Sequence, residues 1–285
     1  MRRLWKLALA PVAASAVLCS AGLAGGSPSV APEAYAATAA GTGQQDASSL
    51  PAAPIPKGKP AFDATFTGTS LNTKVWDTCY PLQPSYGGGC KNWGNSEEAE
   101  WYLPSQVAVY DGELHLVARR ARTAGYTYYG KRFIYGCRSG MVTSWPSFKF
   151  EYGFVQIVAE IPHAPGLWPA LWLAATNGKY PPEMDILESW GVKHQTGAFF
   201  HPLDGPWVIR TLLNPDVTRG WKVYSLAWTK SKLVYYVGKQ AVLTVDDYIP
   251  HQKMYFLADL AEYVQPRAGY CSGQLRIKSV KIWKY

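Results

Sequence analysis

Short runs of alternating apolar and polar residues, separated by turn residues, constrain the fold of this chain more than any other feature. Residues 107–117 alternate on both sides of Asp111-Gly112, a dipeptide that favours a two-residue β-turn, and they therefore predict a hairpin. Further β-like runs, the second of them another hairpin, lie at 154–161, 232–245 and 275–283. Because 26 Gly and 21 Pro interrupt the chain and no segment keeps a 3.6-residue period, we predict an all-β sandwich.

The first part of the 285-residue chain lacks the composition of a folded core. A basic start and an apolar stretch of about a dozen residues, at 7–18, predict a secretory signal peptide, because a membrane span needs about 20 apolar residues. Cleavage fits best after Ala36, with Ala24 as the alternative. The predicted division is a signal peptide over 1–36, a flexible linker over 37–60 and one folded domain over 61–285.

The overall composition excludes several classes of protein. Charged residues make up 17% and aromatic residues 14% of the chain, which rules out disorder over most of its length. The net charge is +8, but the basic residues are scattered, so we expect no nucleic-acid partner. Since no other stretch is long and apolar enough for a membrane span, we predict a secreted, extracellular monomer that has no membrane contact after signal cleavage.

The predicted export makes disulfide bonds between the cysteines of this chain expected, since disulfides form in oxidising compartments. Four cysteines remain after removal of the signal peptide, and they allow three pairings. Cys79 and Cys90 flank a Gly-rich loop, so the favoured pairing joins Cys79 to Cys90 and Cys137 to Cys271. A zinc site is the alternative, but the sequence contains no C-x-x-C spacing, and we expect none.

Three acids lie close together in an otherwise apolar segment, 182–191. Side chains alternate faces along a strand, so Glu183 and Asp185 share one face. Strict alternation would place Glu188 on the opposite face, and one extra residue in a β-bulge would return it to the face of Glu183. The segment therefore predicts a bulged strand that collects three carboxyls on one side.

Clustered carboxyls repel one another, and this segment contains no Lys or Arg to offset them. Two carboxyls a short distance apart can hydrolyse glycosidic bonds, the one with the raised pKa acting as general acid and the ionised one as nucleophile. A solvent-exposed polar face and a calcium site built from the same acids are the two alternatives. The crowding of like charges favours catalysis over a merely exposed face.

The segment Gly166–Leu173, with its Trp-Pro-Ala-Leu-Trp core, together with Glu183–Glu188 resembles family 16 of the glycoside hydrolases, which carries the motif E-x-D-x-x-E. The resemblance covers about residues 61–285. Further similarity lies at 62–71, 93–102, 224–228 and 235–237. The acid motif is moderately specific by itself, and the tryptophan run about ten residues before it makes the combination strong.

The resemblance implies a concanavalin-type β-jelly-roll sandwich with a substrate cleft on its concave face. It also implies hydrolysis with retention of anomeric configuration through two displacements. By position, Glu183 is the nucleophile, Glu188 the acid/base and Asp185 the carboxylate that assists them. The retaining route requires the two glutamate carboxyls to lie about 5–5.5 Å apart.

Six further residues are candidates for contacts with the sugar: Asn95, Glu98, Trp101, Trp168, Trp190 and His201. Asn95 and Glu98 match a Gly-Asn-x-Glu segment of the family and would bond sugar hydroxyls, whereas the tryptophan rings would stack on sugar faces. His201 lies on the segment after the acids, where the family often has a histidine. Core packing is the alternative for Trp101, and a structural role is the alternative for His201.

Two segments depart from the pattern of laminarinases in the family. Residues 152–158 lack the two arginines and the acid of the sequence Y-G-R-F-E-A-R, and residues 259–264 differ from N-L-A-V-G-G. Thr65 and Lys278 stand near positions where the family often has acids that hold calcium, so we predict no metal and no cofactor.

The sequence as a whole predicts a secreted, retaining endo-β-glycosidase whose partner is a polysaccharide substrate. A β-1,3- or β-1,3-1,4-glucan is the favoured polymer. A non-catalytic carbohydrate-binding jelly-roll module and a transglycosylase that uses the same residues are the alternatives.

Overall fold

A computed structural model describes residues 52–53, 55–81, 89–91, 97–127, 129–189, 196–214, 219–264 and 271–285. Within these residues the regular structure is β-strand, apart from one turn of 3₁₀ helix at Pro104–Gln106. The strands are β1 Phe62–Thr65, β2 Glu100–Tyr102, β3 Val107–Tyr110, β4 Glu113–Tyr126, β5 Arg132–Ser139, β6 Met141–Thr143, β7 Gly153–Glu160, β8 Leu167–Ala175, β9 Glu183–Ser189, β10 Thr196–His201, β11 Ile209–Leu212, β12 Lys222–Trp228, β13 Leu233–Val237, β14 Gln240–Val245, β15 Met254–Glu262 and β16 Ser272–Lys284. The all-β prediction is confirmed.

Two sheets are formed by these strands. The larger, called the outer sheet here, has ten strands in the order β14-β13-β12-β7-β16-β4-β5-β2, with β1 beside β16 and β3 beside β4. The smaller, called the site sheet, has six strands in the order β11-β10-β9-β8-β15-β6. Neighbouring strands run antiparallel, except that β2 and β5 are parallel.

Both hairpins predicted from the sequence are present. Tyr110 pairs with Glu113, so β3 and β4 are joined by the two residues Asp111 and Gly112. Their φ angles are 54° and 73°, and a type I′ turn requires positive φ at both positions. Asp-Gly tolerates this conformation, which explains why the dipeptide marks the turn. The second hairpin joins β13 and β14.

The main core lies between the two sheets and is built by strict alternation. On β8, Leu167, Leu171 and Leu173 are fully buried between the sheets. Burial of each such leucine stabilises the fold by about 1.5–3 kcal/mol. The residues between them, Trp168 and Trp172, point to the opposite face, which is called the site face.

Two disulfides join the cysteines in the pairing favoured from the sequence. Cys79 bonds Cys90, and both pack on the site face beside Tyr102. Cys137 on β5 bonds Cys271 at the start of β16 and closes a loop of sequence separation 134. Constraining so long a loop in the unfolded chain stabilises the fold by about 4–5 kcal/mol in the chain-entropy account.

The end of the predicted linker contacts the outer sheet. Ala53 is 2% exposed and packs against Phe154 and Trp283 on the sheet face that points away from the core. The indole nitrogen of Trp283 donates a hydrogen bond to the carbonyl oxygen of Gly58 at 3.0 Å. The predicted signal peptide and most of the linker, residues 37–51 and 54, lie outside the described residues. No described helix is long and apolar enough to span a membrane.

Candidate active site

The three acids of the predicted motif lie on β9, at the centre of the site sheet. Asp185 pairs with Trp172 on β8 and with Phe199 on β10, whereas Glu188 pairs with Ala170 and Gly197. Each partner strand has one residue between these pairs, and β9 has two. The predicted β-bulge is therefore present, and it returns Glu188 to the face that carries the other two acids.

A row of residues crosses four strands at the level of Glu183. In register it contains Tyr255 on β15, Ala174 on β8, Glu183 on β9 and His201 on β10. Neighbouring strands lie about 4.8 Å apart, so the row spans about 14 Å. The small side chain of Ala174 leaves space beside the Glu183 carboxyl, whose side chain is 22% exposed.

A second row crosses the sheet at the level of Glu188. It contains Asp259 on β15, Ala170 on β8, Glu188 on β9 and Gly197 on β10. Small residues lie on both sides of Glu188, whereas Glu183 has a small residue on one side only. The second row is buried, with Ala170 6% and Glu188 9% exposed, so the open part of the site face lies beside Glu183.

Trp168 fixes the position of Glu188. Its indole nitrogen donates a hydrogen bond to the Glu188 Oε1 atom at 2.6 Å, and its ring meets Tyr263 edge-on at 5.7 Å. The sequence predicts that Trp168 stacks on a sugar. The structure places it at the site but leaves it 7% exposed, so it orients the carboxyl and offers little ring surface to a ligand.

His201 contacts the other two acids. Its Nε2 atom lies 3.6 Å from Asp185 Oδ2 and 4.0 Å from Glu183 Oε1. Burial lowers the pKa of His201, so the ring is neutral at neutral pH. The Nδ1 atom lies 3.3 Å from the carbonyl oxygen of Trp207 and 3.1 Å from the Tyr180 hydroxyl, so Nδ1 is engaged on that side and Nε2 faces the two acids.

The crowded carboxyls retain protons at neutral pH. Burial and the nearby charge of Glu188 raise the pKa of Glu183 to about 8. Burial and the charge of Glu183 raise the pKa of Asp185 well above its usual range. The sequence predicts one raised pKa, at the general acid, and the structure shows elevation at Glu183 and Asp185. The proton thus belongs to the cluster, whose members exchange it.

These raised pKa values couple stability to pH. For Glu183 the ordinary pKa of 4.5 becomes about 8 in the folded protein, so the folded state binds more protons than the unfolded state between these values. The resulting stabilisation is fully present below pH 4.5 and is lost as the pH rises to about 8. We expect Glu183→Gln to gain about 1–3 kcal/mol of unfolding free energy relative to wild type across this window.

Denaturant unfolding at several pH values tests this expectation. Asp247→Asn, which changes an exposed acid after β14, is the matched control and should show no comparable gain. If the free energies of unfolding of Glu183→Gln and wild type differ by the same amount from acid to alkaline pH, Glu183 is not desolvated in the folded state.

Four of the predicted sugar contacts remain to be placed. Glu98 is 5% exposed and forms a backbone bridge to Tyr263, which packs on Trp168, so it lies next to the site. Trp101 is 2% exposed and stacks on Tyr135 at 5.2 Å. The ring of Trp101 thus packs in the protein, which matches core packing, the alternative given for it from the sequence. Asn95 and Trp190 lie outside the described residues.

Several residues at the site are not identified as candidates from the sequence. Trp207 is 73% exposed and packs edge-on against both Tyr180 and His201, with ring centroids 6.1 and 5.7 Å away. Tyr180 also bonds His201 Nδ1 through its hydroxyl at 3.1 Å. Asp259 is the other omission. No local pattern marks these residues, because Tyr180 and Trp207 reach the site from the connections before β9 and after β10, and Asp259 reaches it through the pairing of β15 with β8. The departure of residues 259–264 from the laminarinase pattern was the one signal in the sequence.

One group of side chains near the acids has the spacing of metal ligands. Glu183, Asp185 and His201 each offer an atom within 4.8 Å of the others. The set contains an imidazole and only two carboxylates, which does not match the six to eight oxygen ligands of Ca²⁺. Cys137 and Cys271 lie beside Glu262 in a similar group, but their sulfur atoms form a disulfide.

Clustered carboxyls on one face of a two-sheet β-sandwich supply the pair of acids that glycoside hydrolysis requires. The profile of the family described as glycosyl hydrolases family 16 matches residues 95–260. The chain belongs to this family.

Two relatives from Rhizobium meliloti, strain 1021, are similar to it. The endo-1,3-1,4-beta-glycanase EglC is 31% identical over 66% of this chain and 42% of its own length. The endo-1,3-1,4-beta-glycanase ExsH is 30% identical over 73% of this chain and 47% of its own length. The chain thus spans less than half the length of either relative.

A solved structure shows the same fold. The laminarinase catalytic domain from Thermotoga maritima MSB8 superposes with a TM-score of 0.66 and 21% identity, over 80% of this chain and 98% of that one. The jelly-roll fold expected from the sequence is therefore confirmed.

Proposed function

We propose that this chain is a secreted, monomeric, retaining endo-β-glucanase that hydrolyses β-1,3- or mixed β-1,3-1,4-glucan. The observation that carries the proposal is the bulge in β9, which gathers Glu183, Asp185 and Glu188 on one face of a family 16 fold. The names of the two Rhizobium meliloti relatives support the choice of polymer. The charged start and short apolar stretch at the N-terminus support secretion.

The chemistry follows the positions of the three acids. Glu183 attacks the anomeric carbon while Glu188 protonates the leaving glycosidic oxygen, and Trp168 holds Glu188 in place for this step. Water then cleaves the glycosyl-enzyme bond with Glu188 as the base. Asp185 keeps a proton between the two glutamates, which lowers the cost of ionising Glu183 beside another carboxyl.

Aromatic side chains at both ends of the Glu183 row favour a polymer over a small glycoside. At one end Tyr255 is itself buried, at 6% exposed, but it packs edge-on at 5.0 Å against Trp145, a half-buried ring that reaches solvent. At the other end Tyr180 and Trp207 surround His201 and expose their rings to solvent. Apolar ring faces are the surfaces on which sugar rings stack, and a row of this length with aromatic ends suits binding inside a chain.

The direct test is the release of reducing ends from a panel of polysaccharides. We expect cleavage of a β-1,3-glucan or a mixed-linkage glucan, a rapid fall in viscosity that marks internal cuts, and products that retain the β configuration. Folded, disulfide-bonded protein that releases nothing from any β-glucan would refute the proposal and leave a carbohydrate-binding module. Products longer than the substrate would identify transglycosylation instead.

Trp207→Ala tests whether the exposed aromatic group binds the polymer. Loss of the stacking surface should lower kcat/KM on the glucan about tenfold through KM, with kcat nearly unchanged. Turnover of a short aryl glycoside should be unaffected, since it does not reach the end of the row. Tyr129→Ala is the control, because Tyr129 is 90% exposed in the turn between β4 and β5. Equal losses in both variants would contradict this role.

A further inference from the structure

Asp259 is a fourth carboxyl on the site face, outside the predicted motif. It lies on β15, pairs with Ala170 on β8, and through Ala170 stands in the same row as Glu188. The two strand steps separate the backbones of Asp259 and Glu188 by about 10 Å. Asp259 is 3% exposed, and Ala170 is the residue that stands between the two acids in this row.

Both oxygens of Asp259 are held by protein donors. The indole nitrogen of Trp172 donates to Oδ1 at 2.6 Å, and the Tyr102 hydroxyl donates to Oδ2 at 3.1 Å. Each bond stabilises the ionised carboxylate. Each oxygen is thus bonded within the protein, and a carboxyl that is 3% exposed offers almost no surface to a sugar, so the influence of Asp259 on the reaction is electrostatic.

The groups around Asp259 are acidic or neutral. Glu100 and Tyr102 interact with it from β2, Tyr80 from the segment before β2, and Glu183, Asp185 and Glu188 from β9. Glu98 and Tyr255 lie next to Tyr80. No Lys or Arg in the described part of the chain forms an ion pair with it. Burial raises the pKa of Asp259 to about 7, so its charge develops around and above neutral pH.

We propose that Asp259 is a positioning residue of the active site, which acts across Ala170 to keep a proton on the Glu183–Asp185–Glu188 cluster at alkaline pH. This inference rests on the proposed hydrolase function. A negative charge raises the cost of ionising each nearby carboxyl, so the acid/base stays protonated to a higher pH. As a consequence, the enzyme hydrolyses its substrate up to a higher pH.

Asp259→Asn removes the charge and retains an oxygen that accepts from Trp172. At about 10 Å and an effective dielectric constant of about 20, loss of the charge should move the alkaline limb of the kcat/KM profile down by about one pH unit. Asp259→Glu should restore the alkaline limb, and Asp63→Asn, on β1 of the outer sheet, should leave the profile unchanged.

Tyr102→Phe provides a second variant that keeps the carboxyl and its volume. It removes one hydrogen bond to the ionised Asp259, so Asp259 acquires its charge at higher pH, and the alkaline limb should move down by a smaller amount. If both variants are folded and active and neither limb moves, the inference is overturned. A uniform loss of kcat with unchanged limbs would also overturn it, since that result indicates a structural role only.

Carbon-13 NMR titration of the carboxyl groups separates this inference from the proposed function. Wild-type protein that cleaves no glucan would refute the hydrolase assignment. The titration would still show whether the cluster carboxyls ionise at lower pH in Asp259→Asn. If their titration is identical in both proteins, Asp259 does not act on the cluster whatever the enzyme's substrate is.

Discussion

Glu183→Gln should reduce hydrolysis of β-glucan by about 10³-fold or more while glucan binding persists. The amide has nearly the volume of the carboxyl, but it cannot form the glycosyl ester on which the double displacement depends. The remaining acids, Asp185 and Glu188, stay on the same face because the bulge is a property of the backbone. Initial rates on the polymer and affinity electrophoresis of the same protein in a glucan gel provide the two measurements.

The control for this variant is Glu151→Gln, in the turn before β7, which should keep full activity. Hydrolysis within tenfold of wild type would exclude Glu183 as the nucleophile. Joint loss of binding and activity, with an intact fold, would indicate that Glu183 holds the sugar and does not react with it.

Glu188→Ala should separate the two halves of the reaction. On the polymer, loss of the general acid should lower kcat by about 10²–10⁴-fold. A β-glucoside with an acidic phenol as leaving group needs no protonation, so its first step should proceed nearly as fast as in wild type. The glycosyl-enzyme should then accumulate, because no base activates water.

Added azide tests both the role of Glu188 as the base and the stereochemical course of the reaction. The anion needs no general base, and it displaces Glu183 from the anomeric carbon to give a glycosyl azide. We expect the turnover of Glu188→Ala to recover with azide and the product to have the β configuration, measured by proton NMR. An α-azide would show a single displacement and therefore an inverting enzyme, and absence of recovery would assign the acid/base to another residue.

Local patterns were sufficient for much of the fold. The Asp111-Gly112 turn and the alternation around it predicted a hairpin because that turn needs positive φ at two adjacent residues, which few dipeptides tolerate. The β9 bulge followed from chemistry, since three acids that act together must share a face. The cysteine pairs followed from their number and spacing, and the structure contains both.

Long-range pairing decided the parts that the sequence left open. Trp101 is buried because β5 brings Tyr135 onto its ring, and nothing in the neighbouring residues indicates that contact. Asp259 lies 71 positions after Glu188 in the sequence and reaches its row only through β8. The sequence also could not predict which carboxyls have raised pKa values. These values depend on burial and on the distances between carboxyls, which sequence spacing does not give.

The contact of Ala53 and Gly58 with the outer sheet has a consequence for how the enzyme meets its polymer. Ala53 and Gly58 contact the face of the outer sheet that points away from the core, whereas the three carboxyls lie on the site face of the other sheet. A polymer bound along the site face would therefore run on the opposite side of the sandwich from these two contacts.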